Sequence, residues 1–168
     1  MKQHRFYQNI IFRSNTSLEL TEKVANHVSR VLRMKAGQQI CLFNGKDQQC
    51  LAILEEVKKR SVIVKLGEIL TRSRESELKI TLVQATSKGD RFDLVVQKAV
   101  ELGVDKIIPV ITERNELRLS SDRKGKKMQQ WQGIIESASE QCGRNQLMIL
   151  DEPLALPEYL NNKAAIKH

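Results

Sequence analysis

The stretch LKITLVQATSKGDRFDLVVQKAVELGVDKIIPVI, residues 78–111, joins two apolar runs through a segment with helical periodicity. The runs at 78–85 and 106–111 have the length and composition of buried strands, although Pro109 is tolerated only at an edge or a bulge. Gly103 ends the helical segment, whose apolar positions are Phe92, Val95, Val96, Ala99 and Leu102. The order strand, helix, strand predicts a parallel sheet with a right-handed crossover.

The same alternation continues toward the end of the chain. Residues 126–142 are predicted to form a second helix, 147–150 a third strand, and Pro157 begins one more helix. One face of the second helix carries Met128, Trp131, Ile135, Ala138 and Cys142. This spacing predicts that Cys142 is a packed core residue rather than a nucleophile, since a free cysteine needs help from its surroundings to react.

The first 72 residues have a different pattern, because their apolar residues form short clusters between polar turns. The clusters are 10–12, 40–43, 51–54 and 62–64. Asn44-Gly45 predicts a tight hairpin turn. One helix is also predicted: Thr21 caps it, its apolar positions are Val24, Val28, Val31 and Leu32, and it ends at Ala36-Gly37. We expect a small β-barrel or curled sheet over 1–72, a linker at TRSRESE, and an α/β domain over 73–168.

The charge balance favours a polyanionic partner. The chain has 28 Lys and Arg against 20 Asp and Glu, a net charge of +8, which indicates nucleic acid or else a merely basic soluble protein. Three cysteines without metal-ligand spacing predict neither disulfides nor a zinc site. The sequence contains no apolar run of membrane-spanning length and no signal-peptide core, so we expect a cytoplasmic protein without membrane or metal partners.

Basic residues cluster in each half. Arg30 and Arg33, three residues apart on the predicted helix, could contact an RNA backbone together with Lys35 and Arg5, although a solvated helix face is the alternative. In the second half, Lys88, Arg91 and Arg114 bring positive charge to the carboxyl ends of the strands, where open parallel sheets bind ligands. Lys98 and Glu101 can form an ordinary surface pair.

Five segments, taken in order, resemble one protein family along almost the whole chain. They are RFY (5–7), HVSRVLRMKAGQ (27–38), FNG (43–45), SKGDRFDLVVQKAVELGVDKIIPVITER (87–114) and KKMQQWQGIIESASEQCGRN (126–145). The chain resembles the bacterial ribosomal RNA small subunit methyltransferase E family. That resemblance implies an α+β N-terminal PUA-like β-barrel followed by an α/β SPOUT-type parallel-sheet domain with a trefoil knot.

The resemblance also implies a function. Family members methylate N3 of a uridine in 16S ribosomal RNA of the small subunit with S-adenosylmethionine, and they act as homodimers. Their glycine-rich GPEGG segment and LG..(I/V)LR.ETA segment, which hold the cofactor, are not in this sequence. We therefore expect a C-terminally incomplete methyltransferase domain, either part of a longer enzyme or a shortened relative. The alternative function is a non-catalytic rRNA-binding or ribosome-assembly module.

The site residues are carried over by motif. Arg30 and Arg33 match the basic motif of the barrel, and Arg114 matches the arginine after the second strand; Lys98 and Glu101 match K..ELG, and Glu140, Gln141 and Arg144 match EQ..R. The implied roles are that Arg114 and Arg144 hold the uridine and its phosphate, while Glu140 orients a group or accepts the imino proton. Since Arg144 follows a helix that returns to the amino edge of the sheet, it could serve the site of a dimer partner.

Overall fold

The computed structural model describes residues 3–71, 73, 75–87, 90–113 and 121–165, which divide into two units. The first unit comprises Met1–Arg74 and Gly143–Gln146, and the second comprises Glu75–Cys142 and Leu147–His168. The strands and helices are β1 (Arg5–Tyr7), β2 (Ser17–Glu19), α1 (Glu22–Asn26), β3 (Gln39–Phe43), β4 (Gln48–Val57), β5 (Val62–Thr71), β6 (Thr81–Ala85), α2 (Arg91–Glu101), β7 (Lys106–Ile111), α3 (Ser121–Cys142), β8 (Ile149–Leu150), β9 (Leu154–Ala155) and α4 (Leu156–Ala165).

A five-stranded curled sheet in the order β1-β3-β4-β5-β2 forms the first unit. The predicted hairpin is confirmed, since β3 and β4 pair antiparallel, but its loop is longer than a two-residue turn and has positive φ at Gly45 and Asp47. Two register shifts between β4 and β5 bend the sheet around its core. At Gly67 a Cβ would lie 3.0 Å from the Leu51 carbonyl oxygen, so glycine allows this close approach.

Two predictions for the first half are wrong. The 10–12 cluster is not a strand: Phe12 is buried in the core, whereas Ile10 and Ile11 are exposed on the connection between β1 and β2. The helix is also shorter than predicted, because α1 passes into a π-helical turn at His27–Val31. Within this segment, the predicted cap residue Thr21 makes no side-chain capping hydrogen bond. A π-helical turn shifts the phase of the side chains, so Val31 faces solvent instead of the core.

The second unit contains the predicted parallel sheet, in the order β6-β7-β8, with β9 also paired to β7. The first strand begins at Thr81 rather than at residue 78, and β9 is a fourth strand that the periodicity did not predict. Pro109 fits within β7 because β8 pairs with Lys106 and Ile107 while β9 pairs with Val110 and Ile111. The residue without an N–H therefore falls at the interruption between the two short strands.

Helices α2 and α3 cover one face of this sheet with a shared apolar core. The buried residues include Phe92, Val96, Val100, Ile107, Trp131 and Ile135. Helix α3 begins at Ser121, five residues before the predicted start. Leu102, which was predicted to belong to the apolar stripe of the preceding helix, is exposed. The prediction of a buried Cys142 is wrong: Ala138 is the last α3 residue in the described core, and Cys142, one turn further, is exposed.

The thiols should differ in reactivity. Burial raises the pKa of Cys50 to about 11, and the neighbouring Cys41 adds to the increase. We expect an alkylating reagent near neutral pH to modify Cys142 in the folded protein and Cys50 only after unfolding, as measured by peptide mass spectrometry. Equal labelling of the two thiols would contradict this expectation.

Since the folded pKa of Cys50 exceeds its ordinary value of 9.0, its contribution to stability is complete below pH 9 and is lost as the pH rises toward 11.

Candidate functional site

The carboxyl ends of the parallel strands form one candidate region. Thr86 follows β6 directly and is buried, and its N–H donates to the Val110 carbonyl oxygen at 2.9 Å. After β7, Thr112 and Glu113 line a cavity of about 280 Å³ together with Leu156 and Pro157, which begin α4. The hydroxyl and the carboxylate can accept hydrogen bonds from a small ligand. The two apolar side chains can contact an apolar part of the same ligand. Lys88 and Arg114, which were predicted at this edge, lie outside the described residues.

Helix α2 places the predicted polar residues on its outer face. The Lys98 ammonium donates to the Glu101 carboxylate at 2.7 Å, and the Gln97 carboxamide donates to the same carboxylate at 2.9 Å. The hydrogen bond from Lys98, with a smaller one from Gln97, lowers the pKa of Glu101 below 4.5. Arg91, the first residue of α2, is exposed. The predicted Lys98–Glu101 pair is therefore present, and it directs the lysine charge to a carboxylate of its own helix.

A groove of about 540 Å³ lies between α2 and α3. Glu101 and Gln141 both line it, together with Gln97 and Ser137. The structure thus brings together two residues from the K..ELG and EQ..R motifs. Glu140, the neighbour of Gln141, is half-buried on α3.

The basic residues of the first unit do not share one helix face. Arg30 lies in the π-helical turn, whereas Arg33 lies after it with a left-handed backbone, at φ 51°. The argument from helical spacing therefore does not apply to this pair. Both arginines and Lys35 are exposed, so each can contact a solvated ligand.

Arg5 is engaged inside the first unit. Its guanidinium donates to Asn145 Oδ1 at 2.9 Å, to the Arg144 carbonyl oxygen at 3.1 Å and to Gln49 Oε1 at 3.3 Å. Its central carbon lies 4.8 Å from the centroid of the Phe43 ring, within the range of a cation–π interaction. The predicted RNA-binding residue therefore anchors the chain that follows α3, a contact we call the Arg5 anchor.

Residues 143–146 complete this anchor. Asn145 is fully buried, and its carboxamide donates to Gln49 Oε1 at 3.0 Å, while Gln146 donates to Asp47 Oδ2 at 2.5 Å. Arg144 as a whole residue is only 8% exposed. Periodicity did not identify Gln49 or Asn145, because carboxamide side chains in a polar stretch contribute no apolar period. Asn145 had one sequence signal, its position directly after the EQ..R motif, and Gln49 had none.

Two classes of site find no support in the described part of the chain. Among those residues there is no group of three or more His, Cys, Asp or Glu side chains that could hold a metal ion. In the same residues, no helix combines the length and the hydrophobicity that crossing a bilayer requires.

Comparison with protein families identifies both units. Residues 74–168 match the RNA methyltransferase domain, and residues 20–67 match the RNA methyltransferase PUA domain. Among curated proteins, the ribosomal RNA small subunit methyltransferase E of Rickettsia conorii is 32% identical over 95% of this chain and 63% of its own length. That of Bacillus subtilis is 30% identical over 78% of this chain and 51% of its own.

Solved structures give the same result. A Legionella pneumophila protein described as a methyltransferase, in complex with its bound cofactor SAM, is 43% identical with a TM-score of 0.93, over 96% of this chain and 66% of that one. The ribosomal RNA small subunit methyltransferase E of Neisseria gonorrhoeae, bound to S-adenosyl methionine, is 36% identical with a TM-score of 0.90, over 95% of this chain and 66% of that one. The chain spans between about half and two thirds of the length of these relatives.

Proposed function

The chain belongs to the ribosomal RNA small subunit methyltransferase E family, and on that premise we propose that the protein transfers a methyl group from S-adenosylmethionine to N3 of a uridine in 16S ribosomal RNA. The observation that carries this proposal is the likeness to the Neisseria gonorrhoeae enzyme, which extends over both units and was solved with the cofactor bound. In this proposal residues 1–72 hold RNA, residues 73–168 belong to the methyltransferase domain, and the protein acts as a cytoplasmic homodimer.

The cavity at the carboxyl ends of β7 and β9 fits part of the cofactor. Glu113 and Thr112 can accept hydrogen bonds from ribose hydroxyls or an ammonium group, and Leu156 and Pro157 can contact the adenine. Its volume of about 280 Å³ is just below the range of roughly 300–1,000 Å³ typical of small-molecule sites. When bound, S-adenosylmethionine supplies an electrophilic methyl group. These four residues would hold one portion of it and leave the rest to other groups.

Methylation at N3 requires loss of the imino proton and stabilisation of the developing anion on the uracil ring. We assign Arg114 and Arg144 to the uridine and its phosphate, and Glu140 to orienting a group or accepting the proton. A covalent nucleophile is unnecessary for methylation at a ring nitrogen, so this proposal gives Cys142 no role in the chemistry. Since β8 pairs with Lys106 and Ile107 at the amino end of β7, the connection through α3 returns to the end of the sheet opposite its carboxyl ends. This connectivity favours a contribution of Arg144 to the site of a dimer partner.

RNA would be held by basic side chains of both units. The exposed residues Arg30, Arg33, Lys35 and Arg91 are available for phosphate contacts, and Lys88 and Lys98 are assigned to the same role. Arg5 acts indirectly in this proposal, because its hydrogen bonds hold the backbone next to Arg144. Glu101 and Gln141 support the site from the groove between α2 and α3.

Methyl transfer can be measured with labelled S-adenosylmethionine on small ribosomal subunits that lack the modification. Nucleoside mass spectrometry should identify the product as N3-methyluridine, while methylation at carbon or ribose would overturn the N3 assignment. A longer product of the same reading frame should be assayed in parallel. If both proteins bound 16S rRNA and neither transferred a methyl group, the non-catalytic rRNA-binding module would replace the enzyme.

Arg144 gives a direct test of the site. In the protein that methylates small subunits, we expect Arg144→Ala to reduce kcat/KM on the order of 100-fold, the usual cost of removing one group that stabilises developing charge. Arg123→Ala, which removes an exposed charge from α3, is the matched control and should retain nearly full activity. Unchanged methylation by Arg144→Ala would exclude the proposed role.

A further inference from the structure

A groove beside Arg33 lies on the first unit. It has a volume of about 640 Å³, and the residues that concern its chemistry are Gln3, His4, Arg33, Met34, Gln38 and Gln39. None of the described residues that line it is Asp or Glu. In this described lining, the positive charge of Arg33 lies beside carboxamides and an imidazole.

The backbone at Arg33 is unusual for an arginine. Its φ of 51° lies in the left-handed region, where a residue with a Cβ costs on the order of 1 kcal/mol relative to glycine. The turn is held by hydrogen bonds, since the N–H of Met34 donates to the Val28 carbonyl oxygen at 2.9 Å. Glycine would fit this turn without the cost. An arginine in a strained and exposed position points to a use for its side chain.

The carboxamides give the groove the chemistry of base recognition. Each presents a donor beside an acceptor, the arrangement that pairs with the edge of a nucleobase. Gln38 is oriented within the turn, because its Oε1 accepts the N–H of Lys35 at 2.8 Å, and its other end is an N–H donor. Gln39 is the exposed first residue of β3, so the strand holds it in place.

These groups suit unpaired RNA better than a duplex. An A-form duplex hides its distinctive base edges in a deep and narrow groove that side chains cannot enter, whereas single strands expose their bases. Arginine and histidine can stack on an exposed base or contact its phosphate. Resting on the proposed RNA-binding role of the first unit, we propose that the Arg33 groove binds unpaired bases of a single-stranded RNA segment, with Arg33 on the backbone and Gln39 on a base edge.

Fluorescence anisotropy with labelled RNA tests this assignment. The probes are short single-stranded homopolymers of A, C and U and a blunt RNA duplex, each titrated over a series of salt concentrations. Arg33→Gly should weaken all three single strands several-fold to a similar extent and lower the salt slope by about 0.7, the value for one lost phosphate contact on a single strand. Gln39→Ala should leave the salt slope unchanged. It should reduce the ratio between the affinities for the three homopolymers by up to about tenfold.

Two controls separate the side chain from the backbone and from general charge. Asn15→Gly changes another exposed left-handed position, at φ 60°, without removing a charge, and Arg13→Ala removes an exposed arginine elsewhere on the unit. Both should bind RNA like the unchanged protein. Arg33→Gly suits its own turn, so a normal unfolding curve should accompany its loss of affinity.

The outcomes distinguish this inference from the proposed function. Equal affinity for duplex and single strand, or no effect of Arg33→Gly and Gln39→Ala on otherwise normal binding, would overturn the groove assignment and leave RNA binding by the unit intact. Failure of the unchanged protein to bind any RNA would overturn both proposals.

Discussion

Replacing Arg5 with alanine is expected to destabilise the first unit by roughly 2–4 kcal/mol, since it removes charge-assisted hydrogen bonds to acceptors that are buried or half-buried. The fully buried Asn145 would lose its guanidinium donor, and the Phe43 ring would lose its cation contact. Native-state hydrogen exchange measures the change directly, in amides of β3 and β4 and in the Asp47 N–H that donates to the Asn145 carbonyl oxygen.

Two further variants define what the Arg5 anchor contributes. Arg5→Lys keeps the charge but not the planar fork, so we expect an intermediate loss. Arg13→Ala removes an exposed arginine from the same unit and should change stability by less than about 0.5 kcal/mol. If Arg5→Ala and Arg13→Ala had equal effects, the anchor would contribute little to folding. If Arg5→Ala also lowered methylation more than its stability loss explains, it would act by positioning Arg144.

Replacing Phe92 with alanine should have the largest effect in the second unit, about 3–5 kcal/mol. Phe92 is 1% exposed, and its ring centroid lies 4.6 Å from that of Trp131, in the core between α2, α3 and the sheet. The variant would lose both the burial of an aromatic ring and a specific ring contact. Because Trp131 is the single tryptophan of the chain, its fluorescence during urea unfolding reports on this unit alone.

The matched control for Phe92 is Leu94→Ala on the same helix. Leu94 is 55% exposed, so its truncation creates no cavity and should change the free energy of unfolding by less than about 0.5 kcal/mol. Asp93, which lies between them, accepts the Trp131 indole N–H at 2.9 Å and should be left unchanged in both variants. A similar stability of Phe92→Ala and Leu94→Ala would mean that the core relaxes into the space.

Sequence periodicity predicted the second unit better than the first. The apolar stripes of α2 and α3 are long enough for the helical period to be unambiguous, and the alternation of strand and helix implied the parallel order that the sheet has. The pattern predicted β8, although over 147–150 instead of Ile149–Leu150, but it did not predict β9, because a two-residue strand carries no period and exists only where β7 offers partners. In the first unit, the π-helical turn at His27–Val31 altered which side chains face the core.

The candidate site shows the same division. The sequence predicts helical positions for Lys98, Glu101 and Gln141, and the structure has them on α2 and α3, since helical spacing is a local property. The burial of Arg144 and the internal hydrogen bonds of Arg5 had no such signal. Arg5 and Asn145 are 140 positions apart in sequence, and their hydrogen bond depends on how strand β1 and the chain after α3 meet the β3–β4 hairpin.

The amino-acid sequence by itself determined the family, the order of the main elements and the change from short strands to alternating strands and helices, because these follow from motifs and from apolar period within one segment. Only the tertiary structure decided which polar side chains are engaged internally and which are exposed. Arg5 became an anchor, Arg33 an exposed residue with left-handed backbone, and Cys142 a surface thiol. Burial depends on the neighbours that folding brings from distant parts of the chain, and a local sequence pattern does not predict which residues those neighbours are.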